Sequence, residues 1–170
     1  AFNDEVRSFL AKIPIMRVWE HDVTIKSGGY FAADKDYGDI DVMAYDTSRD
    51  ILYLIECKNT NPAKNIKEMK TEMDEYLGRG DNPERDKKRA LVLKHLRRHR
   101  WVTEHINEVA KHIGVAVTPR VKSMMLTATV TSYLKREKIP MSILNYPELK
   151  LKGVNLLDSC KEPDLSVLDI

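Results

Sequence analysis

The stretch "GDIDVMAYDTSRDILYLIECKNT", Gly38 to Thr60, decides how this chain folds. Ile51-Leu52-Tyr53-Leu54-Ile55 is a strongly apolar run, and Glu56, Cys57 and Lys58 follow it with no turn residue between. Before it, Asp39 and Asp41 bracket Ile40 and lead into Val42-Met43-Ala44. The polar "DTSRD", Asp46 to Asp50, supplies a turn, so the pattern predicts a hairpin of two strands, Asp39–Tyr45 and Ile51–Lys58. Successive side chains on a strand alternate faces, so Asp39 and Asp41 share one face, as do Leu52, Leu54, Glu56 and Lys58. Asp41 lies five residues before Asp46, and Glu56 six after Asp50. A short hairpin therefore sets Asp41 and Glu56 facing each other across the ladder.

Two carboxylates so placed repel, and ionising both costs free energy unless a metal or an ammonium compensates. A hard cation such as Mg²⁺ suits oxygen ligands of this kind. Lys58, two residues beyond Glu56, points to the same side, where it can hold or help deprotonate a metal-bound water. The plain alternative is a cross-strand salt bridge at a solvated sheet end, worth ~0–1 kcal/mol.

Outward from the hairpin, Asn3 or Asp4 caps a first helix to about Lys12, with Val6, Phe9 and Leu10 on one side. "MRVWEHDVTI", Met16 to Ile25, reads as one strand, "KSGGY" as a turn and "FAADKDY" as loop. After Pro62, Ile66, Met69, Met73 and Tyr76 have helical spacing up to Gly78 and Gly80. A long helix runs to about His112, its core face carrying Val92, Leu96, Val102, Ile106, Val109 and Ile113, and Gly114 ends it. Val121–Thr131 reads as a strand, Ser132–Lys138 as a short helix and Met141–Leu144 as a last strand. The order fits an α/β sandwich on a mixed central sheet rather than a βαβ series. The division is a domain over 1–148 and a C-terminal extension over 149–170, suited to partner binding, whose structure the pattern does not specify.

The 170 residues suit one domain, and no run approaches the ~20 apolar residues a membrane helix needs. No signal-type segment opens the chain. Cys57 and Cys160 make no metal-ligand spacing, which points to a reducing, cytoplasmic setting. A start at Ala1 suggests a processed protein or a piece of a larger multidomain one. Net charge is only +2, yet Glu84–Arg100 holds eight Lys/Arg against two acids, leaving the remainder at −4. This asymmetry suits a polyanionic partner on one face, or simply a solvated basic helix.

The residues Gly38-Asp39-Ile40-Asp41-Val42, with Glu56-Cys57-Lys58 fifteen residues after Asp41, resemble the PD-(D/E)xK nuclease superfamily. That group includes restriction endonucleases, Holliday-junction resolvases and Mrr-like enzymes. The likeness is strongest over Asp39–Asn59, and the element order extends it loosely from Phe2 to Leu144. It implies a restriction-endonuclease-like three-layer sandwich and a Mg²⁺-dependent DNA endonuclease of restriction, defence or repair, with Mn²⁺ able to substitute. Asp41, Glu56 and the backbone carbonyl of Cys57 would bind the metal, and Lys58 would orient the attacking water. Glu5 matches the place of an extra acid that many members carry on the first helix. Asp39 competes with Asp41 for the aspartate role. Ile40 stands where the family name has proline, and the chain has no glutamine, which excludes variants needing one.

"KHLRRHRW" puts Lys94, His95, Arg97 and Arg98 within a turn or so of one another, and Lys64 and Lys67 begin a second basic stripe. All six are candidates for nucleic-acid contact. His95 and Arg98, one turn apart, are placed to lie beside the site. The five histidines form no ligand box, and no P-loop is present. DNA is the expected partner, with RNA left open and a homodimer expected from resemblance alone. The reading from a different class is a nuclease-fold module that binds nucleic acid or a protein without cutting. Specificity, metal number and pathway have no local motif.

Overall fold

Ile51–Lys58 (β6) is the middle strand of a five-stranded sheet in a computed structural model that describes residues 1–59, 67, 68, 70, 71, 74, 78, 90–130 and 139–169. Its sheet order is β1-β5-β6-β7-β8, with β1 Met16–Val18, β5 Val42–Asp46, β7 Arg120–Thr127 and β8 Ser142–Asn145. β1/β5 and β5/β6 are antiparallel, and β6/β7 and β7/β8 parallel, so the sheet is mixed as the pattern predicts. The first five residues of β6, Ile51 to Ile55, are fully buried, which explains why that run does not alternate with polar residues.

The β5–β6 turn is fixed by its first residue. The Asp46 carboxylate is buried and accepts from Ser48 N, Ser48 Oγ, Arg49 N and Arg49 Nη1 at 2.7–3.1 Å. Burial alone would raise its pKa; these bonds more than offset that and hold it low. The turn in turn fixes the register, Val42 opposite Ile55 and Asp46 opposite Ile51.

Two cores lie on opposite faces of the sheet. Val42, Ala44, Tyr53 and Ile55 pack under α1 (Phe2–Ala11), which buries Phe2, Val6 and Leu10. Met43, Tyr45, Leu52 and Leu54 pack under α2 (Leu91–Glu104) and α3 (Ile106–Ile113). The result is an α/β sandwich. A three-stranded sheet of β2 (Val23–Lys26), β3 (Phe31–Ala32) and β4 (Gly38–Ile40) closes the second core through Val23, Ile25, Phe31 and Ile40.

Several elements differ from the sequence reading. "MRVWEHDVTI" is two strands in two sheets, because the chain bends away after Val18. "FAADKDY" contributes β3, which pairs with β2 in parallel. Asp39–Tyr45 is interrupted at Asp41, where the chain leaves the small sheet for the large one. The long helix breaks at His105, whose φ −112, ψ 25 lies outside the helical range, and Gly114 ends α3 with φ +77. The helix expected after Pro62 falls mostly outside the described residues, and that expected over 132–138 does so wholly.

The segment from Leu149 onward is folded. α4 (Tyr146–Lys152) is capped by Asn145, whose side chain accepts from Glu148 N at 2.9 Å. α5 (Val154–Asp158) follows, and Leu149, Leu156, Leu157 and Cys160 join the core under α1. A short 3₁₀ helix, Leu165–Asp169, packs its apolar residues against Val92, Leu96 and Met125. Among the described residues no helix is long and apolar enough to cross a membrane.

Candidate functional site

The break at Asp41 is where sequence, fold and charge meet. Extending the β5–β6 register by one step sets Asp41 opposite Glu56. Had β4 continued in that register, the Cys57 N–H would have met the Ile40 carbonyl. Instead Asp41 Oδ2 accepts it at 2.9 Å, so a side chain caps the ladder end. Both acids lie on the face covered by α2, in step with Met43, Tyr45, Leu52 and Leu54.

Burial of Asp41 raises its carboxyl to about 6, and the neighbouring Glu56 charge adds to that; the Cys57 N–H and Arg98 pull the other way. Glu56 is 7% exposed, an expensive place for a charge without a partner. Its partners come from α2. Arg98 Nη1 lies 3.2 Å from Glu56 Oε2. The Arg98 Nε–H donates to the Tyr37 carbonyl at 2.9 Å, tying the helix to the start of β4. Gly38 makes that seat possible: its φ is +85, and a Cβ there would stand 3.0 Å from Arg98 Nη2.

His95 is fully buried. Its Nε2 lies 3.0 Å from the Leu54 carbonyl, an acceptor only, so Nε2 carries the hydrogen. Nδ1 is then directed at Glu56 Oε2, 3.5 Å away, a charge-pair distance without hydrogen-bond geometry; it has no hydrogen-bond partner among the described residues. His99, one turn further, places Nδ1 2.7 Å from Ser123 Oγ, and burial together with His95 depresses its pKa to about 4.

The other expected site residues divide. Lys58 ends β6, half-buried, opposite Thr127. Cys57 faces the opposite core, where burial drives its thiol pKa far up, so only its backbone belongs to the site. Asp39 is exposed in β4 opposite Thr24; of the two aspartates, Asp41 is the one set across from Glu56. Glu5 is exposed on α1 and lines a hollow with Tyr146 and Lys150. Lys94 and Arg97 are half-buried on α2, Lys67 is helical and exposed, and Lys64 lies outside the described residues.

His95 and Arg98 need correction as surface contacts for nucleic acid. The helix turns both inward, where they are 0% and 8% exposed, because its core stripe takes in positions 95, 98 and 99 as well as the apolar ones. They do lie beside Glu56. Sequence reading missed Arg7 and Asp22. Arg7 Nη2 reaches from α1 to the Asp41 carbonyl at 2.6 Å and pairs with Asp22, whose charge also acts on Asp41. The only sequence signal was a basic residue on the polar side of α1, one turn before Leu10.

Among the described residues no group of three or more His, Cys, Asp and Glu side chains is arranged to hold a metal ion. A set of two carboxylates plus a backbone carbonyl is a different donor set, and its hard oxygens fit a divalent cation. The mutual repulsion of Asp41 and Glu56 is the observation that favours such a fit. The larger surface hollows, about 510 and 550 Å³, are lined by Ile139, Met141, Ser142 and Lys161 among others, and neither acid borders them.

Residues 15–141 match the model of a family described as anti-phage protein Upx-like, and this span contains both sheets as far as β7, the acid pair and α2. Neither curated proteins nor solved structures offer a match. The matched span is well over half of the 170 residues, and the chain belongs to the Upx-like family of anti-phage proteins.

Proposed function

We propose that this anti-phage protein acts as a Mg²⁺-dependent endonuclease of the PD-(D/E)xK type, with a restriction-endonuclease-like fold, and that phage DNA is its substrate. The observation that carries the reading is the register: Asp41 stands opposite Glu56 at the end of a buried ladder, with the two charges coupled. A structural ion pair has no need of two like charges facing each other in a part-buried place. Lys58, two residues on, falls on the same side by strand alternation.

In this reading Asp41, Glu56 and the Cys57 carbonyl hold the metal, which supplies charge neutralisation and water activation at the phosphodiester. Lys58 orients the water and steadies charge on the phosphoryl oxygens. Lys94, Arg97 and Lys67, the accessible members of the basic set, position the nucleic-acid backbone. Glu5, exposed on α1, and Asp39 are auxiliary acids.

A second reading has its own support. Arg98 already neutralises Glu56, as expected of a nuclease-like module that binds DNA or a protein without cutting. Incubating supercoiled plasmid with the protein and Mg²⁺, then with EDTA, separates the two. Nicking or linearisation only with Mg²⁺ supports the enzyme; tight binding without cutting supports the module.

A further inference from the structure

We infer that Arg98 is the resident counter-charge of the Asp41–Glu56 pair, and that a divalent cation and the Arg98 guanidinium are alternative partners of Glu56. Loading the site then requires Arg98 to let go of Glu56. The identity of the competing cation rests on the nuclease reading; the position of Arg98 does not.

The first argument is a comparison within the molecule. Asp46 shows what a saturated buried carboxylate looks like here: four donors, two of them backbone. Glu56 Oε2 receives one bond, from Arg98 at 3.2 Å, longer than the ~2.7–2.9 Å usual for a charge-assisted contact. The nearby His95 Nδ1, at 3.5 Å, is buried and hydrogen-bonded to nothing among the described residues. An ion pair built only for stability would close that gap. This one leaves Glu56 capacity for another partner.

The second argument is the seat itself. Arg98 is held by two different elements: Nε on the Tyr37 carbonyl, Nη1 on Glu56. Gly38, lacking a Cβ, lets the guanidinium lie against the strand, and because the guanidinium is a rigid plane, releasing Glu56 turns the whole group in that seat. A doubly charged ion between the same carboxylates would repel it at short range. Both cannot hold Glu56 together.

The test is Mn²⁺ binding by the full chain, measured by calorimetry or by the loss of free-ion EPR signal. Arg98→Met keeps the stem and removes the charge; it should bind Mn²⁺ about tenfold more tightly than wild type, a coupling of ordinary size. Adding Glu56→Gln should remove that gain. Equal or weaker binding by Arg98→Met, or none by either protein, overturns the inference. Should Arg98→Met fail to fold, the wild-type chain answers alone: the Arg98 Nε–H NMR signal should shift on saturation with Mg²⁺, and an unmoved signal is contradictory. Tighter Mn²⁺ binding with no DNA cleavage by either protein keeps the competition and removes the nuclease reading. Cleavage by both at equal Mn²⁺ affinity does the reverse.

Discussion

Asp41 stands opposite Glu56 and at the same time accepts the backbone N–H of Cys57, the next residue along, at 2.9 Å. One carboxylate therefore ends a ladder and faces a like charge. Those two tasks make different demands on its proton, and the conflict is measurable.

A carboxyl whose folded pKa is about 6, above the ordinary value of 3.8, favours the fold while protonated. That contribution is full below the unfolded pKa and is lost as pH rises through 6. Asp41→Asn keeps an acceptor for Cys57 N and removes the charge. It should stabilise the protein by about 1–2 kcal/mol near pH 8, after allowing for partial exposure, and by little near pH 4. Urea denaturation at the two pH values checks this; a variant less stable at both would show that ionised Asp41 is a net stabiliser.

His99 has the opposite sign of effect for a base. Its folded pKa, about 4, lies below the ordinary 6.5, so the neutral ring fits the fold. Stability is fully present above 6.5 and falls as pH drops toward 4, by about 2–3 kcal/mol in all. His99→Gln retains a polar partner for Ser123 and should flatten that acid limb. An unchanged slope would place the acid sensitivity elsewhere.

Gly38 is the backbone hinge of the Arg98 seat. At φ +85 with Arg98 Nη2 3.0 Å from any Cβ, Gly38→Ala should cost about 1–3 kcal/mol through strain and displacement of the guanidinium. Thermal denaturation gives the cost. A neutral result would mean that β4 relaxes freely.

Much of this was legible because local rules acted alone. The Ile51–Lys58 strand was bounded by its own apolar run, and "DTSRD" fixed the register through one capping aspartate, so the facing of Asp41 and Glu56 followed. The break at Asp41 was not legible: "DIDV" holds no glycine or proline and alternates like a strand, and the chain passes there from one sheet to another. The inward turn of His95 and Arg98 was hidden for a related reason. Polar residues read as surface until a buried carboxylate from a distant strand, Glu56, gives one of them its charge partner. Arg7 and Asp22 meet across fifteen residues of sequence and reach Asp41 only through tertiary contact.

The most direct test compares wild type with Lys58→Ala in plasmid cleavage with Mg²⁺ and in DNA binding measured in parallel. The amine should matter to the chemistry and little to the docking, so cleavage should fall by about 100-fold or more while affinity changes by less than about threefold. Cleavage by Lys58→Ala at the wild-type rate would contradict the account, and so would a wild-type protein that binds DNA but leaves it intact in Mg²⁺.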